Sequence, residues 1–340
     1  MRGTDMRLPA FEYIRPKTTT DALEAFHQHG PACKALAGGT DILVRMKQRL
    51  VLPSFLVSLK DLTELSYIRR GNETLNIGAC ASIDDIRSSD EINGLFPSLA
   101  RAAFSVGAPS IQHFTGTIGG NICQENRCKY YNQSEFFRSA RPPCHKAGGQ
   151  TCYARDGSDR CRSTCHSDLG PVLAALNASV VLKSKGFRRI LPMSDFYTSE
   201  GEKPFSMAPE ELMTEIRIPI PPSHSGNAYK RLAARSAIDY PIVSAAVFVE
   251  APGGVVARAR IVVGAIGSAP LSLAAASRHL EGKAALDSAL IKETAEMAMN
   301  SASAFAVDNV SSPVEYRIQM ISVMVERALV EAVGVALGGG

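Results

Sequence analysis

The chain has 340 residues, enough at roughly 100–200 residues per domain for two or three domains with cores of their own, which excludes a mini-protein held only by disulfides. Hydrophobic residues make up 45% and charged residues 21%, ordinary values for a folded chain, so disordered and collagen-like classes fall away. The 37 Lys and Arg exceed the 33 Asp and Glu by a net charge of only +4, too small a surplus to point to nucleic acid.

No apolar run reaches the length of a membrane span, and Asp5 and Arg7 stand where a signal peptide would need its apolar core, so a cytoplasmic location is expected. Thr20 is placed to cap a helix through Asp21, Leu23 and Phe26 that ends at Gly30. A short strand, Lys34 to Ala37, then runs into Gly38-Gly39-Thr40-Asp41 and an apolar helical pattern, Ile42, Leu43, Met46 and Leu50. Val51 to Leu59 and Leu75 to Ala79 read as strands, and Ser82 with Asp85 three residues on reads as a capped helix start. This N-terminal third is an alternation of helix and strand.

From Asn121 to Asp168 the periodicity dissolves into Gly, Pro, Arg and Cys, too long for a plain loop inside a compact domain. Pro171 to Leu182 resumes a helix-then-strand pattern, Leu212 to Pro219 is a strand, and Pro219-Ile220-Pro221-Pro222 is the expected domain boundary. Ser244 to Glu250 and Val255 to Val263 read as strands around Gly253-Gly254, and helices follow from about Ala284 and from Ser312. The last has a cap, a proline at the first position and Glu315 placed to bond back. Beyond Gly338-Gly339-Gly340 there is no low-complexity tract, and no internal repeat.

Two glycine turns carry possible chemistry: Ala37-Gly38-Gly39-Thr40-Asp41 and Gly116-Thr117-Ile118-Gly119-Gly120-Asn121. Paired glycines let backbone amides approach an anion closely, and neighbouring hydroxyls add donors, which suits a pyrophosphate; ordinary turns account for such glycines equally well. No Gly-Lys-Ser/Thr follows either turn, so a cradle here would hold a dinucleotide without hydrolysing it. Six of the eight cysteines, Cys123, Cys128, Cys144, Cys152, Cys161 and Cys165, fall in one window, leaving only Cys33 and Cys80 elsewhere. In a chain without a secretory signal that crowding favours metal or redox chemistry over disulfides. No C-x2-C pair is present, which argues against zinc; four thiolates suit an iron–sulfur cluster, and packed thiols without metal are the third reading. Spacing alone does not choose four from six. His27 and His29 read as solvated groups near a helix end, and His113, His145 and His166 border the glycine and cysteine motifs without a ligand pattern. Tyr130-Tyr131 and Phe136-Phe137 read as packing more than as base-stacking residues, given the weak charge.

In this order, the two glycine turns, Ser167-Asp168-Leu169-Gly170-Pro171, Tyr229-Lys230-Arg231 with Arg235 and Asp239, and Gly264-Ala265-Ile266-Gly267 with Pro270 resemble the FAD-binding medium subunit of molybdenum hydroxylases, the family of xanthine dehydrogenase and carbon monoxide dehydrogenase. The resemblance spans nearly the whole chain. It implies an α+β fold: residues 1–220 a two-subdomain FAD-binding domain of PCMH or vanillyl-alcohol-oxidase type, with an iron–sulfur insertion at about 122–166, and 221–340 a smaller α/β C-terminal domain. It implies FAD contacts from Ala35, Leu36, Ala37, Gly38, Gly39, Thr40, Asp41 and Ile42, from Thr117, Gly119, Gly120 and Asn121, and from Asp168 and Lys230. The family has Ile-Arg-Asn before the second turn, where this chain reads Ile111-Gln112-His113-Phe114.

The cysteine insertion resembles one branch, the β subunit of 4-hydroxybenzoyl-CoA reductase, and implies a [4Fe-4S] cluster on Cys128, Cys144, Cys152 and Cys161. Cys123 and Cys165 are then not ligands, and Cys123 is expected near the flavin as a packed thiol. The implied partners are a molybdopterin-binding large subunit and a [2Fe-2S] small subunit in a dimer of heterotrimers, with a ferredoxin-like donor. The insertion holds eight Lys and Arg against four Asp and Glu, which would either steer an acidic carrier or offset the charge of a cluster and its thiolates. A hydroxylase of purines or N-heterocycles with outward electron flow, and a zinc-stabilised nucleotide-binding scaffold, are the alternatives.

Overall fold

The computed structural model describes residues 7–308 and 312–338; the first six residues of the stretch read for a signal sequence, Asp5 among them, and Gly339 and Gly340 of the tail, lie outside them. Three parallel strands, β1 (Glu12–Ile14), β2 (Cys33–Leu36) and β3 (Phe55–Ser58), form a small sheet in the order β1-β3-β2. Parallel neighbours need a crossover, and the helix Thr19–His29 supplies the one from β1 to β2. Its cap is Thr18 and not Thr20. Thr18 stands three residues before Asp21, so its hydroxyl takes the Asp21 amide at 3.1 Å while the Asp21 carboxylate takes the Thr18 amide at 3.0 Å, a closure that Thr20 is too near to make. The helix buries Ala22, Ala25 and Phe26 with Val57, Leu59 and Leu62, and stops at Gly30, whose φ of +49° suits glycine.

The second subdomain is an antiparallel sheet of β4 (Ile68–Arg70), β5 (Thr74–Gly78), β6 (Ser179–Ser184), β7 (Phe187–Pro192) and β8 (Leu212–Pro219), ordered β4-β5-β8-β6-β7. Leu75, Ile77, Val180, Leu182, Ile216 and Ile218 turn one face into a core shared with the helices Ile83–Ser88, Pro97–Ser105 and Leu169–Ala175. Ser82 and Asp85 form the expected reciprocal cap, both bonds at 3.0 Å.

The C-terminal part is a four-stranded antiparallel sheet of β9 (Ser225–Leu232), β10 (Val243–Glu250), β11 (Arg258–Gly264) and β12 (Leu271–Ser272), ordered β12-β11-β10-β9. The helices Ser288–Ser303 and Val314–Gly338 cover one face. They sit close: a Cβ on Gly226 would lie 2.0 Å from the Ala332 carbonyl oxygen. The other face, through Tyr229, Ala246, Phe248 and Val262, joins the core of the second subdomain against Leu169 and Val172. The two parts therefore share apolar burial, which fixes the cleft between them. No helix among the described residues is long and apolar enough to cross a membrane.

Candidate cofactor site

The first glycine turn leaves the end of β2, where Gly39 takes φ +76°, and leads into the short helix Ile42–Lys47. Its partner is the second glycine segment: a Cβ on Gly38 would lie 1.8 Å from the Thr115 carbonyl oxygen, so only hydrogen fits there. In the second turn the Thr117 hydroxyl caps the helix Ile118–Ile122 by accepting the Gly120 amide at 3.1 Å. The Ile118 and Gly119 amides bond the Ala81 and Ala79 carbonyls at 3.0 and 2.9 Å, tying this turn to the segment after β5. The amides from Gly38 to Ile42 make no hydrogen bond among the described residues. A run of unspent donors beside two glycines is a backbone cradle for an anion.

The turns open on a cleft of about 480 Å³, within the range of small-molecule sites. Ala35, Ala37, Gly38, Gly39, Thr40, Asp41 and Ile42 line it, as do Thr117, Gly119, Gly120, Asn121 and Asp168. Leu36 does not; its side chain turns under Gly39. Lys230 requires a correction. Residues alternate along β9, and since Tyr229 and Arg231 both turn toward Asp168, Lys230 turns the other way and pairs with Glu331 on the helix Val314–Gly338, off the cleft.

Asp168 is buried. Its Oδ1 accepts the Tyr229 hydroxyl at 2.7 Å and lies 3.0 Å from Arg231 Nε, while Arg231 also donates to the Asp239 carbonyl. Burial outweighs both partners and pushes the carboxyl up to about 6. The folded chain then holds this proton to higher pH than the unfolded chain, whose carboxyl titrates near 3.8. The stability from that difference is full below the unfolded value and is lost as pH rises through about 6. Asp168→Asn is expected to flatten that fall, read as melting temperature of the flavin-free chain from about pH 4 to 7. A slope unchanged by the substitution contradicts the assignment.

Asn121 organises the same corner: its Oδ1 accepts the Ser167 hydroxyl at 2.7 Å and the Leu169 amide at 3.3 Å. The sequence reading gave no site role to the rest of the wall. Arg235, Ile238, Asp239 and Tyr240 reach over from the C-terminal part, and the Ile238 amide bonds the Gly107 carbonyl at 3.2 Å. Arg127 and His166 line the cleft from the insertion. His166 packs 5.2 Å from the Tyr240 ring, its Nδ1 has no hydrogen-bond partner, and burial, with Arg317 and Arg127 beside it, pushes the ring down to about 3. Arg235 and Asp239 stood in a stretch noted for resemblance and His166 beside the cysteine motif, while no motif marks Ile238 or Tyr240. Cys123 lines the cleft, and burial pushes its thiol up to about 12, so it is a packed thiol.

The insertion is held largely by polar and cation–ring contacts. Arg127 and Thr164 pair their backbones at 2.9 and 2.8 Å, and the Arg141 guanidinium sits 5.1 to 5.4 Å from the Tyr130, Phe137 and Tyr153 rings. Lys129 pairs with Asp308 at 2.7 Å, Arg155 donates to the Ala304 carbonyl, and the Cys165 amide bonds the Gly267 carbonyl at 2.9 Å, so the insertion rests on the C-terminal part. Cys165 turns into the apolar core. Cys128 and Cys161 are buried and Cys144 and Cys152 half-buried. Burial raises the Cys128 thiol, and Cys161 and Cys144 are close enough to raise it further. Among the described residues, no three or more His, Cys, Asp or Glu side chains are gathered where they could hold a metal.

Such a cradle beside a cleft is the kind of site that seats a dinucleotide. Residues 9–221 match the family described as the FAD binding domain in molybdopterin dehydrogenase, and residues 227–332 match the CO dehydrogenase flavoprotein C-terminal domain. The chain belongs to this FAD-binding family of molybdopterin dehydrogenases. It is 29% identical over 323 residues to the carbon monoxide dehydrogenase medium chain of Afipia carboxidovorans, covering 95% of this chain and 96% of that one. It is also 29% identical over 275 residues to the nicotinate dehydrogenase FAD-subunit of Eubacterium barkeri, covering 80% of each. Its fold is similar to a chain of carbon monoxide dehydrogenase from Hydrogenophaga pseudoflava, with a TM-score of 0.78 at 27% identity, covering 97% of this chain and 99% of the other. The PCMH-type FAD-binding domain followed by a C-terminal flavoprotein domain is therefore the architecture, and the free amides, the lysine-free turns and the size of the cleft fit FAD.

Proposed function

We propose that the chain is the electron-transfer flavoprotein subunit of a molybdenum hydroxylase-type complex, with FAD seated on the turns at Gly38–Ile42 and Thr117–Asn121 and beside Asp168. On this reading residues 1–220 form the flavin domain and 221–340 the C-terminal domain. FAD exchanges one or two electrons, so it couples single-electron clusters to a two-electron reaction. The chain's own residues seat the diphosphate on free amides, close the cleft with the Arg235–Tyr240 segment, and keep the Asp168 carboxyl next to the Tyr229 hydroxyl.

The finer reading is a subunit of the 4-hydroxybenzoyl-CoA reductase type. Cys128, Cys144, Cys152 and Cys161 would carry a [4Fe-4S] cluster, a ferredoxin-like donor would deliver electrons there, and a [2Fe-2S] small subunit and molybdopterin-binding large subunit would complete a cytoplasmic dimer of heterotrimers. Two electrons and two protons then remove a phenolic hydroxyl of an aromatic CoA thioester as water. The observation that supports this reading is that, of the six cysteines in the insertion, Cys123 faces the cleft and Cys165 the core, which leaves Cys128, Cys144, Cys152 and Cys161 for a cluster. A second reading, a hydroxylase of N-heterocycles with outward electron flow, is favoured by the likeness to the nicotinate dehydrogenase subunit.

Iron, zinc, acid-labile sulfide and flavin content of the anaerobically isolated complex, beside its Cys128→Ser variant, tests the cluster. The expected result is about four irons and four sulfides lost in the variant with flavin retained in part. Zinc without sulfide, or iron unchanged by the substitution, overturns the cluster and returns the hydroxylase reading to the front.

A further inference from the structure

Neither glycine turn contains a lysine or arginine, and the first ends in Asp41, a carboxylate at the mouth of a cradle meant for a diphosphate. That charge would repel an anion unless it were neutralised. Two chains of ion pairs do so, and both come from the insertion. Arg127 Nη2 bonds Asp41 Oδ1 directly. Lys146 pairs with Glu125 at 2.6 Å, Glu125 with Arg45 at 3.1 Å, and Arg45 with Asp41 at 3.7 Å. These side chains are between 7% and 23% exposed, which keeps water from screening them fully. Three cations against two anions leave one positive charge beside the free amides.

The far ends of the network are anchored inside the insertion. Lys146 also donates to the Gly201 carbonyl at 2.9 Å and to the Asn126 carbonyl at 3.3 Å, and it lies near Cys161. Arg127 precedes Cys128 and pairs its backbone with Thr164. Any rearrangement of the cysteine-bearing loops therefore moves a cation that holds Asp41.

We propose that the cysteine insertion is a working wall of the flavin site, and that Glu125 and Lys146 are positioning residues that link the order of the insertion to retention of FAD. The inference rests on the flavin reading and is independent of which metal, if any, the cysteines hold. Loss of the insertion's order removes the counter-charge of Asp41 and loosens the amide cradle; reciprocally, bound FAD stabilises the insertion.

Titration of the full-length flavin-free chain with FAD, in the wild type and in Glu125→Gln, Lys146→Met and the double variant, tests it. Each single substitution is expected to weaken FAD binding by about tenfold, the double variant no more than either, and Lys146→Arg to restore most of the affinity. Trypsin cleavage after the exposed Arg160 is the second readout: FAD is expected to slow it by about threefold in the wild type and not in Glu125→Gln. That protection in the wild type needs no variant to fold. Affinities within twofold of the wild type, fully additive losses, or no protection of the wild-type insertion overturn the inference while leaving the flavin reading intact. A wild-type chain that binds no FAD overturns both.

Discussion

Gly38→Ala is expected to weaken FAD binding by on the order of 100-fold, about 2.7 kcal/mol, because the new methyl group has no room that does not belong to the backbone. It would lie 1.8 Å from the Thr115 carbonyl oxygen, 2.5 Å from that carbonyl carbon and 3.0 Å from Gly116 Cα. A flexible side chain can swing aside, but a peptide group in a bonded turn cannot, so relief requires the two glycine turns to move apart by an ångström or more. That movement would shift the two turns that line the cleft relative to each other. The chain outside this corner has no reason to unfold, since Gly38 belongs to none of the three apolar clusters. Calorimetric titration with FAD checks the prediction, with Gly94→Ala beside it. A Cβ on Gly94 meets nothing within 4 Å, and alanine suits a helix better than glycine, so that variant should bind as the wild type does. Equal affinities in the two variants would mean that the turns do not form the cradle.

How much of this was legible in the sequence follows from what each signal measures. Glycine pairs mark backbone constraints, so both turns were visible before any fold was known, and Leu212–Pro219 was readable as a strand from its apolar alternation. The strand Phe187–Pro192 was not, because it lies at the sheet edge with mostly exposed side chains and owes its existence to pairing with Ser179–Ser184. Cap assignment failed by two residues at Thr18 because the deciding feature is a reciprocal bond and not the presence of a threonine. In the site, the residues contributed by turns were legible and those contributed by tertiary packing were not. Arg127, His166 and Tyr240 come from segments with no periodicity, and only the docking of the C-terminal sheet brings them to one cleft. Lys230 illustrates the reverse error: a motif places it near the flavin, but alternation along a strand sends it to the opposite face from Tyr229 and Arg231. The cysteines were ambiguous for the same reason, since spacing cannot say which thiols face one another.

Arg317→Met is expected to destabilise the folded chain by about 3 kcal/mol, because it orphans three buried carbonyls at once. Arg317 is fully buried, and its guanidinium donates to Ile242 at 3.3 Å and to Val307 and Ala265. These carbonyls belong to three separate segments: the approach to β10, the turn after β11 where Ala265 takes φ +64°, and the connection leading to the long C-terminal helix that carries Arg317 itself. A left-handed alanine is strained, and the bond to its carbonyl helps hold it there. Burial lowers the guanidinium to about 10, which still leaves it charged at neutral pH, so the carbonyls receive charge-assisted bonds. Methionine keeps much of the volume and none of the donors. At an unfolding entropy of about 0.7 kcal/mol/K for 340 residues, the melting temperature should fall by about 4 °C. The effect should reach the cofactor as well, because Arg317 stands near His166 in the cleft wall and the strands it braces position the Arg231 and Asp239 segment over Asp168. Thermal melting with and without FAD separates the two consequences. A pure loss of fold stability lowers both curves equally, whereas a disturbed cleft also shrinks the gap between them. A melting temperature within a degree or two of the wild type would mean that the three segments are held by packing alone.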